Sequence, residues 1–208
     1  MAEQPQTQAQ AAGKKRGGKL NTKDLIYAGA FCALYIILML IVVMGSSMVI
    51  PLFYFIAPLT VGTVCGTVYM LYVLKVRKFG AALILGILFI LATGSFTWYA
   101  WLLAAAVSLL TELIIFLGKY ASKKMYLLSY VVFNLTMALP YLTFVFNLQE
   151  SLAVTESYYG AARAQEYAAL FGPGFYIFTV LLALAGGVVG TFVASRLVKK
   201  HFAKAGIV

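Results

Sequence analysis

Glu112 is the one carboxylate set inside a long apolar run, the stretch from Thr97 to Gly118. An ionisable group at membrane depth is costly, so it marks ion or proton work, substrate contact, or a helix partner. It stands seven residues before Lys119, roughly 10 Å along a helix, and can reach a basic link from there. Glu112 is therefore a candidate for intramembrane coupling. Catalytic sets are otherwise missing. The single histidine, His201, sits among lysines in the C-terminal tail, with no neighbour to tune it. Without a histidine in an apolar run there is no Ser-His pair and no His-based metal site. Cys32 and Cys65 both fall inside apolar runs without metal-site spacing and read as small packing residues. Gly118-Lys119 is followed by Tyr120 and lacks the leading glycine and the Ser or Thr of a phosphate loop. These absences predict a chain that is not an enzyme, holds no cofactor or metal, and leaves any ATP-driven work to partner ATPases.

A second group could bind rather than react. Met48, Tyr54, Trp98, Tyr99, Asn134, Tyr141, Asn147, Tyr158 and Arg163 fall in segments expected at one end of a bundle. Converging aromatic walls with a few polar groups make a small-molecule pocket. The same aromatics could form only an interfacial belt. Asn134 is harder to assign to a belt, because a mid-span amide needs a hydrogen-bond partner, and another helix can supply one. Aromatic walls favour a flat ligand: a vitamin-like heterocycle, or a tetrapyrrole if Met48 or a tyrosine served the iron. A bare cobalt or nickel ion is disfavoured, since no His or Cys cluster is present.

The elements that must position these groups are membrane helices. The chain of 208 residues is 63% hydrophobic and only 11% charged, whereas a soluble domain averages about a quarter charged. After Asp24 the first run continues to Met44 without a charge, long enough to cross a bilayer. The runs predict spans at about 24–44, 51–74, 79–93, 97–118, 125–147 and 173–198. Residues 45–58, broken by Pro51 and Pro58, are expected to be partly an outer loop that folds back. Pro140 predicts a kink in the fifth span, and Pro173 suits the first turn of the sixth. Residues 148–172 hold three of the six acids and suit a short amphipathic helix in an outer loop. Residues 1–19 cannot bury a core and read as a disordered basic tail; 201–208 form a second tail. Asn21 or Thr22 can cap the first helix.

The net charge of +10 is gathered in short clusters between apolar runs, which argues against nucleic acid and for lipid. Of the sixteen basic residues only Arg163 falls outside the termini and the 75–78 and 119–124 links. With six spans all those clusters share one face, which the positive-inside rule makes cytoplasmic. The expected fold is an all-α multi-pass cell-membrane protein: a bundle of six transmembrane helices with both termini cytoplasmic.

The first span carries small residues four apart, Ala28 with Cys32 and Gly29 with Ala33, which allow close helix approach in lipid. Leu20 to Leu25, LNTKDL, enters that span, and Gly66 to Gly80, GTVYMLYVLKVRKFG, leaves the second. On these features the chain resembles the substrate-binding S components of energy-coupling factor (ECF) transporters, and within them the Trep-Strep subgroup. The resemblance covers most of residues 20–200. It implies a subunit that captures a micronutrient at the outer face and docks on a membrane scaffold (T) subunit driven by two ATPases. It places the docking contact at Ala28, Gly29, Cys32 and Ala33, where the family carries an Ala-x-x-x-Ala pattern. Alternatives are a stand-alone carrier or channel, for which only Glu112 offers an intramembrane charge, and a non-catalytic assembly subunit.

Overall fold

The computed structural model describes residues 20–49, 51–94, 97–171 and 174–204. The tail 1–19, Ser95, Pro173 and residues 205–208 lie outside them.

Helix α1 spans Thr22–Val49. Asn21 caps it: its side-chain oxygen accepts from the Asp24 amide at 3.0 Å, and the Asp24 carboxylate accepts from the Asn21 amide at 3.0 Å. This reciprocal pair satisfies two donors at the helix start. The apolar run carries the helix to Val49, so 45–49 is helix rather than loop. A 3-10 turn at Pro51–Ile56 then leads into α2, Ala57–Val76. Proline at the first turn of α2 removes only an amide that has no helical partner.

Arg77 ends α2 in the left-handed region at φ 49°, and its amide and its Nε cap the carbonyls of Val73 and Leu74. Gly80, at φ 100°, turns the chain into α3, Ala81–Thr93. A side chain there would be strained. Helix α4 is Trp98–Leu117, and α5 is Lys123–Phe133 with Ser122 as its cap. Beyond Phe133 the predicted kink takes a specific form. Residues Asn134–Leu142 tighten into a 3-10 helix around Pro140 before a last turn, α6, at Thr143–Phe146. Proline has no amide to donate and clashes with the preceding turn, so the α-helical ladder breaks here.

The interval after α6 is two helices rather than one, α7 (Leu148–Tyr159) and α8 (Ala161–Leu170). Gly160, at φ 84°, forms the corner between them. Helix α9 covers Phe175–Leu197, and a short α10 covers Lys199–Lys204.

Helices α2 and α9 cross at the centre. A Cβ on Gly190 would fall 2.1 Å from the Gly62 carbonyl oxygen, and one on Gly186 would fall 2.5 Å from that of Pro58. Backbones this close gain dispersion contact, which drives helix association where lipid removes the hydrophobic force. Polar bonds lock the crossing. Asn134 Nδ2 donates to the carbonyls of Pro58 (3.1 Å) and Ala183 (2.7 Å), and the Tyr130 hydroxyl donates to Gly62 O at 2.6 Å. Helix α1 is peripheral: 22% of its apolar window is buried, against 61% for the second span.

Among the described residues five helices are long and apolar enough to cross a membrane, and α3, with 13 residues, is a shorter apolar one. Its length of about 20 Å falls short of the roughly 30 Å hydrocarbon core. Successive helices run back and forth, so 75–80, 118–124 and 196–204 gather at one end, the basic end. The far end holds Met44, Thr93, Thr97, Asn147 and the α7–α8 hairpin.

Candidate functional site: a far-end cavity under a helical hairpin

A cavity of about 820 Å³ opens at the far end. Its walls come from the end of α1 (Val43, Met44), the 3-10 turn (Tyr54), the α3–α4 connection (Thr93, Gly94, Thr97), the Pro140–Asn147 segment, and the hairpin. Helix α7 supplies Glu150, Ser151, Val154, Thr155, Tyr158 and Tyr159. These recur at three- and four-residue steps, so one face of α7 is turned to the cavity. From Glu150 to Tyr158 that face runs about 12 Å.

Phe55 holds the hairpin down. It is buried, and its ring meets those of Tyr167 at 4.8 Å, Phe171 at 5.6 Å, Phe175 at 5.3 Å and Phe144 at 6.2 Å. Such edge-to-face clusters add to the gain from buried area. Next to it, the Tyr141 hydroxyl donates to the Tyr54 carbonyl and the two rings stand 5.2 Å apart. Helix α8 is thus anchored on the bundle through Tyr167, while α7 faces the cavity. Burial pushes the Tyr167 hydroxyl above its ordinary range, an effect that Arg163 opposes. It therefore stays a neutral hydrogen-bonding group at physiological pH. The described lining carries one formal charge, Glu150, which accepts from Asn147 Nδ2 at 3.4 Å.

The residues expected to bind ligand divide. Tyr54, Asn147 and Tyr158 line the cavity. Tyr141 supports Tyr54 from behind. Asn134 is fully buried deeper in the bundle and spends its amide on α2 and α9. Trp98 is 77% exposed, and Tyr99 packs on Phe146 with ring centroids 5.1 Å apart. Arg163 pairs with Glu166 at 2.7 Å on α8 and is not in the described lining. The Met48 side chain lies outside the described residues. Sequence reading missed Glu150, Ser151, Thr155 and Tyr167, while Tyr159, beside Tyr158 in the outer loop, was among the aromatics it set at this end. The signal that could have found them is the helical spacing of polar and tyrosine residues in 147–159.

The small-residue patch on α1 splits in the same way. Ala28 and Cys32 are buried, whereas Gly29 and Ala33 face outward. Adjacent positions on a helix point about 100° apart, so only one pair can face the neighbours in the bundle. A Cβ built on Gly29 meets nothing within 4 Å.

Glu112 lies at the basic end, buried, and accepts the Ala82 amide at 2.6 Å, with the amides of Gly80 and Leu83 also turned toward it. It caps α3 from a neighbouring helix. The Tyr72 hydroxyl donates to Ala81 O at 2.8 Å, and Lys78 pairs with Asp24 at 2.5 Å. These bonds pin the α2–α3 turn to α1 and α4. Among the described residues no group of three or more His, Cys, Asp or Glu side chains could hold a metal ion.

Comparison with curated proteins and with solved structures gave no match. A family model described as hypothetical bacterial integral membrane protein (Trep_Strep) matches residues 22–204. That match covers every helix described above, and the chain belongs to this family of bacterial integral membrane proteins.

Proposed function

We propose that this chain is the substrate-capture (S) subunit of an ECF-type importer, a non-catalytic subunit that docks on a scaffold subunit and two ATPases. The observation that carries the reading is the cavity of about 820 Å³ lined by one face of α7, at the end away from the basic clusters. Its volume is that of a vitamin-sized ligand site. On the positive-inside rule the far end faces outside. This puts both termini in the cytoplasm and makes the short α3 the remaining span of a six-helix bundle. The ligand is then a vitamin-like or other flat small molecule held between Tyr54, Phe144 and the α7 face. Gly29 and Ala33, open on α1, are suited to close approach by a scaffold helix. Glu112 accepts the Ala82 amide and so caps α3, a structural role that weighs against a stand-alone carrier.

The test is affinity purification of the chain from its native membranes in mild detergent, with mass spectrometry of the co-purifying proteins. The expected result is a membrane scaffold subunit with two ATPases. Recovery of the chain alone, from membranes that contain such a scaffold, would favour the stand-alone carrier.

A further inference from the structure

We infer that the far-end cavity selects a small organic cation, a protonated amine or a positively charged heteroaromatic ring, with Glu150 as its counter-charge and the α7 tyrosines as its aromatic contacts. The inference deepens the capture reading and rests on it.

Three observations lead here. First, the only formal charge in the described lining is a carboxylate. Glu150 is exposed, and among the described residues its partner there is the neutral amide of Asn147. An anionic ligand would meet Glu150 with no basic group to offset it, and like charges brought together cost several kcal/mol. Second, tyrosines ring the same space. Tyr54, Tyr158, Tyr159 and Tyr167 all contribute to the lining, and the Tyr158 and Tyr159 centroids stand 6.4 Å apart. Electron-rich ring faces attract cations at exposed sites as well as buried ones. Third, the surroundings have the same sign. The interval between α6 and α9 carries Glu150, Glu156 and Glu166 against Arg163 alone. Arg163 is engaged by Glu166 at 2.7 Å. A mouth with excess negative charge raises the local concentration of cations and speeds their arrival. In the sequence, positions 46–52, 95–96 and 172–173 read SSMVIPL, SF and GP and add no charge.

Glu150, Val154 and Tyr158 follow one another at four-residue steps on one stripe of α7. The carboxylate at one end and the phenol ring at the other suit a flat cation lying along the helix, with Ser151 and Thr155 offering hydroxyls beside it. The neutral Tyr167 phenol completes the wall from α8.

The experiment uses the full chain purified from its native membranes in mild detergent. Bound small molecules are released by denaturation and identified by mass spectrometry. In parallel the thermal midpoint is measured with 1-methylnicotinamide, nicotinamide and nicotinate, which share a ring but differ in charge. The expected result is a released compound that is positively charged at pH 7, or a stabilising shift confined to 1-methylnicotinamide. Loss of the charge-assisted contact in Glu150→Gln should weaken retention about tenfold or more. Glu156→Gln, on the same helix but outside the cavity lining, should retain the compound like the unaltered chain, and Tyr158→Leu should weaken it with the carboxylate intact. A bound compound that is neutral or anionic, a shift with nicotinamide or nicotinate instead, or equal retention by Glu150→Gln overturns the cation assignment and leaves the capture reading standing. No released compound and no shift with any of the three overturns the capture reading and this inference together.

Discussion

The Glu112 carboxylate on α4 accepts the amide hydrogen of Ala82 at the start of α3, at 2.6 Å. The most suspicious ionisable group in the sequence thus closes a helix terminus. The first amides of a helix lack partners within it and carry its positive end. At this depth in the bundle a carboxylate from the neighbouring helix satisfies them. Glu112→Leu should therefore leave buried donors unpaired and cost about 1–3 kcal/mol of stability. Glu112→Gln keeps an acceptor and should cost less, with uptake per folded molecule unchanged. Thermal unfolding in lipid nanodiscs and uptake normalised to membrane level check both. Lost uptake with unchanged stability in Glu112→Gln would restore a coupling role.

The α2–α9 crossing leaves no room for a side chain. A Cβ at Gly190 falls 2.1 Å from the Gly62 carbonyl oxygen, which is backbone and cannot swing away. Gly190→Ala is expected to lose at least about 1–3 kcal/mol through forced separation of the helices. Gly29→Ala, where nothing lies within 4 Å, should be neutral or slightly stabilising. The thermal midpoints of the two variants, compared side by side, decide it.

On α1 the open pair Gly29 and Ala33 can be separated from the fold. Gly29→Leu with Ala33→Leu should leave the thermal midpoint and ligand retention unchanged, because both positions face outward. Association with the proposed scaffold and ATPases should fall at least about tenfold, since bulk prevents close helix approach in lipid. Co-purification intact in the double variant would remove this face from the docking contact.

Phe55, next to the lining residue Tyr54, joins the 3-10 turn to the hairpin. Removing its ring in Phe55→Ala should cost about 3–5 kcal/mol locally, as for other buried phenylalanines. Its partners Tyr167, Phe171 and Phe175 would lose their common neighbour. The expected signature is faster hydrogen exchange across 148–170, with α2 and the middle of α9 still protected. Uniform loss of protection throughout the chain would mean that the hairpin has no independent opening.

Much of the architecture is legible in the chain because lipid imposes simple demands. The apolar runs mark the helices, the basic clusters mark which ends lie together, and Asn21 with Asp24 writes the start of α1 as a capping box. Pro140 predicts a break, and the 3-10 segment Asn134–Leu142 is its form. The site is less legible. Tyr54, Asn147 and Tyr158 follow from residue type and position, but Trp98 and Tyr99 have the same types at the same depth and lie outside the cavity lining. Residue type cannot tell a wall from a belt, because both need an amphipathic ring at the interface.

The sequence by itself determined that this chain is a multi-pass helical membrane protein with its basic links at one end, since hydropathy and charge act residue by residue. Only the tertiary structure decided which groups meet. It turned Ala28 and Cys32 inward and left Gly29 and Ala33 outside, gave Glu112 to the start of α3, and spent Asn134 on two helix backbones. It folded 148–170 into a hairpin that sets Glu150 and three tyrosines around one space. The physical reason is that these choices depend on the rotation and crossing of helices far apart in sequence. Close backbone contacts such as Gly62 against Gly190 set that rotation; glycines four apart mark each packing face in the sequence, but which faces meet is decided only when the helices cross.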